Sequence, residues 1–385
     1  MSKMYIMSFF IIGMGILGFI IKPRDIKKYS LVVIIGLTTL AFFFQAKAGD
    51  DLNIAFTHLE GLKKNGWEYY SQIASKTSYF NMLPTLKIYF YVISRLPSQH
   101  FLPAISIFLI YYCAFWIIIK ITNKYKLNAT MSVALIFILL ITLDYYGLVS
   151  GIRNALAYAL CAVFLYKDLI ENENKMICWF VYFSMLGLHS SVIFIIILRV
   201  LVFLPKRIMS FVVVGFFIMW MSFANNIFGL LSNVNIPVFQ TLAWKLEIYS
   251  ELGGVEQNLK AGIYYTRLMI SRGIFSIVIL MTIVYRVKTL KYKLDNMEYL
   301  FIYIVSLMFG SFNSFNIFLR LSNMVIFLGS IMLARYYFYR RKTKYSVIVG
   351  KRFVLYSFQL PTIICALIIF YFIVIHSYYS ISFAF

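Results

Sequence analysis

YFNMLPTLKIYFYVISRL, residues 79–96, decides how this chain is threaded. The stretch is apolar enough to resemble a membrane span. Yet Lys87 and Arg95 lie within it and Pro84 interrupts it, and a proline removes a backbone donor and breaks a helix in its interior. Reading it as a span would invert every later loop and put the basic loops outside. It therefore reads as an interfacial or shallow re-entrant helix inside a long loop.

Around it lie twelve apolar runs: 4–21, 30–46, 102–121, 129–147, 152–166, 176–188, 191–204, 208–231, 263–285, 299–317, 321–338 and 353–376. A helix crosses the bilayer core in about 20 residues. The first run ends in Lys22-Pro23-Arg24, not in a small-residue cleavage site, and reads as a retained span. The 385 residues are 62% hydrophobic and only 13% charged, which excludes a soluble enzyme and a disordered chain. The expectation is an all-α, polytopic membrane protein of about 12 transmembrane helices, one integrated domain over 1–385. No internal repeat or long linker divides it. Cys113, Cys161, Cys178 and Cys365 all fall inside apolar runs and form no metal or redox motif.

Lysine and arginine set the sidedness. The intervals after odd-numbered runs are short and basic; one holds Lys22, Arg24, Lys27 and Lys28, the last Arg340, Arg341, Lys342 and Lys344. These lie in the cytoplasm, so the net charge of +22 reflects basic loops and not nucleic-acid binding. The outer face then carries two longer loops, about 47–101 and 232–262. It also carries all four histidines. The runs 176–188 and 191–204, of 13 and 14 residues, reach only about 20 Å each against a core of about 30 Å. Their turn at His189 sits below the outer surface, where irregular backbone has to line a cavity. An outward-facing cavity is expected there.

Charge within a span costs at least about 2.5–3.5 kcal/mol. Arg199 lies near the cytoplasmic end of its run and can snorkel toward Lys206 and Arg207. Arg153 opens a span, in Gly151-Ile152-Arg153-Asn154, and Arg320 lies at an external turn. Arg267 and Arg272 occupy the outer half of one span, five residues apart. These four outnumber the carboxylates available to them. Either they recognise phosphate, which suits a guanidinium fork, or they reach lipid headgroups. Asp51, in Gly49-Asp50-Asp51-Leu52, is a general base, an arginine partner or a helix cap. No further ligand converges with Asp50 and Asp51 by spacing, so neither metal nor cofactor is expected. His189 is a catalytic candidate or a hydrogen-bonded turn residue. His58, His100 and His376 read as structural. Trp67, Tyr70 and Trp244 in the long loops could stack on sugars or pack in the interfacial aromatic belt.

These residues carry a resemblance. The order Gly49-Asp50-Asp51, Arg153-Asn154, His189-Ser190-Ser191 and Arg320 resembles the EpsG/Wzy-type polysaccharide polymerases of bacteria, across most of the chain. Leu52 stands where that family often has tyrosine, and Asn154 where it has glutamine. The resemblance implies a metal-independent glycosyltransferase of the bacterial cytoplasmic (inner) membrane. It would polymerise undecaprenyl-pyrophosphate-linked oligosaccharide repeat units on the outer face, moving the growing chain to the next lipid-linked unit. The product would be capsule, O-antigen or exopolysaccharide. The partners implied are the lipid-linked donor and acceptor, membrane lipids, a flippase and a chain-length regulator, with no nucleic acid. Arg153 and Arg320 would hold the pyrophosphate, with Arg272 and Arg267 in reserve, and His189 or Asp51 would be the base. Two other readings stay open: a flippase or transporter of lipid-linked oligosaccharide, and a membrane acyltransferase that modifies a surface glycan.

Overall fold

Among the described residues the apolar runs fold as helix, with one short hairpin beside them. The computed structural model describes residues 6–20, 25–46, 50–73, 83–204, 211, 213–215, 217–219, 255–312, 314–340, 346–348, 354–356 and 359–376; the side chains of 19, 255–265, 315, 346–348, 354–356 and 376 fall outside the description. The helices are α1 (Ile6–Ile20), α2 (Ile26–Phe42), α3 (Asp51–Asn65), α4 (Tyr69–Ile73), α5 (Pro84–Ser94), α6 (Phe101–Tyr125), α7 (Ala129–Thr142), α8 (Tyr145–Ser150), α9 (Ile152–Tyr166), α10 (Lys175–Leu186), α11 (Val192–Leu201), α12 (Val255–Leu290), α13 (Asn296–Gly310), α14 (Phe315–Arg340) and α15 (Leu360–His376). Strands β1 (Ser346–Ile348) and β2 (Val354–Tyr356) pair antiparallel.

Among the described residues three helical stretches, Phe101–Tyr125, Thr266–Leu290 and Asn316–Arg340, are long and apolar enough by length and composition to cross a membrane, as in a membrane protein. Six further apolar helices, among them Ala129–Thr142 and Val192–Leu201, are shorter. α6 packs against α2, α9 and α14, and α14 also against α7, α9, α12 and α13. One buried apolar cluster runs through these contacts, from Leu37 and Ile110 to Leu156, Phe301 and Met324.

The helices arrange two ends. At the basic end, Tyr125 closing α6 meets Phe338 of α14, and Lys124 donates to the carbonyl of Ile170 just beyond α9. At the loop end, α3 and α5 pack on each other over the start of α6. α5 has 11 residues, so it rises about 16 Å. Its first turn docks on the end of α10: Leu86 N–H donates to the Gly187 carbonyl at 3.0 Å and Thr85 Oγ1 to the Ser184 carbonyl at 2.7 Å. α10 and α11 have 12 and 10 residues, about 18 and 15 Å. α5 therefore docks from the loop end on the close of α10, beside the turn that carries buried His189.

Several boundaries differ from the sequence expectation. The run 129–147 breaks at Leu143, because Asp144 has extended backbone and starts α8. The last run does not begin at 353: residues 354–356 belong to β2 and the helix starts at Leu360. α12 begins at Val255 within the expected loop 232–262, and its 36 residues exceed a bilayer crossing. Most of the run 208–231, the rest of that loop, and residues 79–82 of the expected interfacial helix lie outside the described residues.

Candidate functional site

The loop end collects the polar residues of four separate segments. Asp50 caps α3 in an extended conformation, and its carboxylate accepts the Tyr146 hydroxyl at 2.9 and 3.1 Å. That contact sets the first turn of α3 beside the start of α9. Asp51 then faces Arg153, with Oδ2 3.7 Å from Nη2; both side chains remain partly exposed, 49% and 23%. His58 lies seven residues after Asp51, two helical turns on and hence on the same stripe. Its Nδ1 is 3.0 Å from the Tyr69 hydroxyl. Burial, and then the charge of Arg153, push its pKa down to about 4.

One turn into α9, buried Asn154 and Tyr158 lead to the His189 turn. The Ser191 hydroxyl reaches Asn154 Oδ1 at 3.4 Å and His189 Nδ1 at 2.7 Å. Tyr158 hydrogen-bonds Ser191 and feels the charge of Arg320 on α14. Asp51 and Arg153 thus pair where α3 meets the start of α9, and Asn154, Ser191 and His189 form a second, hydrogen-bonded group at the α10–α11 turn, with Tyr158 and the charge of Arg320 beside it.

The His189 ring has a defined polarity. The Ser191 backbone N–H donates to its Nδ1 at 3.2 Å, so Nδ1 is an acceptor. In the neutral ring the proton then sits on Nε2. With Nδ1 engaged in its own turn, His189 presents an N–H donor and not a free base. In that tautomer His189 donates, which favours Asp51 over His189 as the base.

The remaining candidates separate. Arg272 is buried at 3%, and its Nη1 donates to the Leu319 carbonyl, Ser322 Oγ and Asn323 Oδ1. It grips α14 around Arg320. Arg267 is exposed, because five residues turn it about 140° from Arg272. Tyr70 is buried, with its hydroxyl on the Lys87 carbonyl. Trp67 is 51% exposed and meets Tyr70 and Tyr91 edge-on, so of this pair only Trp67 offers a free ring face. Trp244 lies outside the described residues. No group of three or more His, Cys, Asp or Glu side chains converges among the described residues.

The basic end holds charges of another kind. Arg199 does not snorkel toward Lys206 and Arg207. It is buried and binds Asp168 through two bonds, Nε to Oδ2 at 2.6 Å and Nη2 to Oδ1 at 2.9 Å. Asp168 lies in a π-helical turn, Lys167–Glu171, that swings its carboxylate inward, and it also accepts the Tyr182 hydroxyl. Asp295 and Glu298 form a capping box on α13. Glu298 also takes Arg286 at 2.6 Å and Arg335 at 3.2 Å, while Arg335 binds Asp295 at 2.7 Å. The pattern Asp295-Asn296-Met297-Glu298 ahead of an apolar run is a capping signal visible in sequence; the arginines that close on it are not.

No protein-family model matches this chain, and neither a curated protein nor a solved structure does.

Proposed function

We propose that this protein is a polysaccharide polymerase. It joins lipid-pyrophosphate-linked oligosaccharide repeat units on the outer face of the bacterial cytoplasmic membrane, in a bundle of about twelve spans with the loop end outside. The observation that carries this reading is that Asp51 pairs with Arg153 at the start of α9, one residue before Asn154, which through Ser191 leads to His189, with Arg320 acting on the neighbouring Tyr158. Their order along the chain also underlies the family resemblance.

The chemistry asks for such a set. The bond from the anomeric carbon to the pyrophosphate oxygen breaks as a bond to the acceptor hydroxyl forms. Negative charge builds on the leaving pyrophosphate, where prepositioned cations and N–H donors lower the barrier. Arg153 and Arg320 supply the cations, and the His189 Nε2–H supplies a neutral donor. The acceptor hydroxyl gives its proton to Asp51, whose carboxylate is held ready by Arg153. Arg272 acts through α14 as a positioning residue, and Trp67 offers a sugar-stacking face.

Deleting the gene in its host and sizing the surface glycan tests the proposal. A single lipid-linked repeat in place of a ladder is expected. A ladder of unchanged length with altered decoration would replace it with acyl transfer. Repeat units trapped inside would replace it with transport.

A further inference from the structure

The flank of α3 turned away from Arg153 lines a second feature. Glu60 follows Asp51 by nine residues, half a turn out of phase, and so points to the opposite side. Two cavities adjoin there. One, of about 410 Å³, is an apolar cleft between α2 and α6, lined by Thr38, Phe42, Phe101, Ala104, Ile105 and Phe108. The other, of about 340 Å³, is polar and includes Glu60, Lys63, Ser94, Gln99 and His100. The His100 ring joins them, 5.8 Å from the ring of Phe42.

The apolar cleft lies among outward-facing side chains such as Ile35 and Tyr112, 53% and 50% exposed, so its mouth opens to bilayer lipid. The polar cup offers charges of both signs. Glu60 and Lys63 have no ion-pair or hydrogen-bond partner among the described residues. The Nδ1 of His100 is buried and takes no hydrogen bond. A pyrophosphate would satisfy Lys63 and be repelled by Glu60. A headgroup with one phosphate and one primary ammonium satisfies both, the ammonium donating to Glu60.

We propose that this two-part groove holds a phospholipid with a primary-amine headgroup. An acyl chain fills the α2–α6 cleft, the phosphate meets Lys63, and the ammonium meets Glu60. This goes beyond the glycosyl-transfer reading and does not depend on it.

The test is native mass spectrometry of the full chain, purified in detergent and offered equal amounts of phosphatidylethanolamine, phosphatidylglycerol, phosphatidylcholine and a polyprenyl phosphate. Retention of phosphatidylethanolamine about fivefold above the others is expected, the size of one exposed ion pair. Glu60→Gln should erase its advantage over phosphatidylglycerol, and Lys63→Gln should weaken all the phospholipids. Both residues are exposed, so the fold should survive, with a thermal melt as control. Ala104→Trp, which fills the cleft, should expel all of them. Equal retention of the lipids by the wild type, a preference untouched by Glu60→Gln, or retention of polyprenyl phosphate above phosphatidylethanolamine would each overturn the proposal.

Discussion

The two ends of the bundle settle their charges differently. At the basic end, Arg199 and Asp168 have side chains 2% and 0% exposed and share two short bonds. Arg286 and Arg335 close on Glu298, itself 0% exposed. At the loop end, Arg153 and Asp51 stand 3.7 Å apart with both side chains partly exposed, and Arg320 is half-buried. A charge within a membrane segment invites a functional reading by default. The contrast shows that burial alone is a poor guide. Closed pairs fix helices against one another, and partly exposed charges are the ones a ligand can reach.

The largest effect should come from breaking a closed pair. Arg199→Ala leaves the Asp168 carboxylate buried without its cation, a loss of about 3–5 kcal/mol. The purified protein should melt far lower or fail to accumulate. Replacing both partners with apolar residues should recover most of that loss, because the uncompensated charge causes it. A wild-type melting curve for Arg199→Ala would refute this account of the basic end.

Arg153→Ala should do the reverse. Its guanidinium is not locked in a buried pair, so the melting temperature should stay close to wild type. Polymer formation should fall about 10²–10³-fold, the usual cost of one transition-state donor. Arg320→Ala should behave alike. A collapse in stability, with activity per folded molecule retained, would move both arginines to the architectural class.

Much of the frame was legible in the sequence, because apolar runs and basic intervals state the bilayer problem directly. The short runs before and after His189 match two short helices, α10 and α11, joined by the turn that carries it, and Pro84, read as an interruption of 79–96, stands in the first turn of α5. What the sequence withheld was long-range pairing. Nothing local joins Asp168 to Arg199, 31 residues away, or Arg286 and Arg335 to Glu298. The π-turn that points Asp168 inward has no strong local signature. His58 was within reach, since the seven-residue spacing from Asp51 puts both on one helical stripe. Arg272 was not, because its partners Leu319, Ser322 and Asn323 lie on another helix.

The next effect is smaller and concerns His189. As an Nε2–H donor it should be partly replaceable by a side chain that keeps an N–H. His189→Gln should therefore retain several-fold more activity than His189→Ala in a polymer-length assay with purified lipid-linked units. Equal loss in both variants, with an activity inflection near an ordinary imidazole pKa that vanishes in each, would restore His189 as the base.

The smallest effect sharpens the boundary between the two classes of charge. His58 is held neutral next to Arg153, its pKa lowered by burial and then by that charge to about 4. An unfolded chain titrates its imidazole near 6.5. Between those values the unfolded state binds a proton that the folded state refuses, so stability rises with pH across this window and is lost as pH falls from 6.5 toward 4. Because the site is only partly buried, the contribution is on the order of 1 kcal/mol after solvent screening. His58→Gln should flatten the melting temperature between those pH values without changing it much at neutral pH. Arg153→Gln should also reduce the slope, by removing the charge that helps hold the ring neutral. If the slope survives in His58→Gln, the loop end carries its acid sensitivity elsewhere, and α3 is not seated against Arg153 through this histidine.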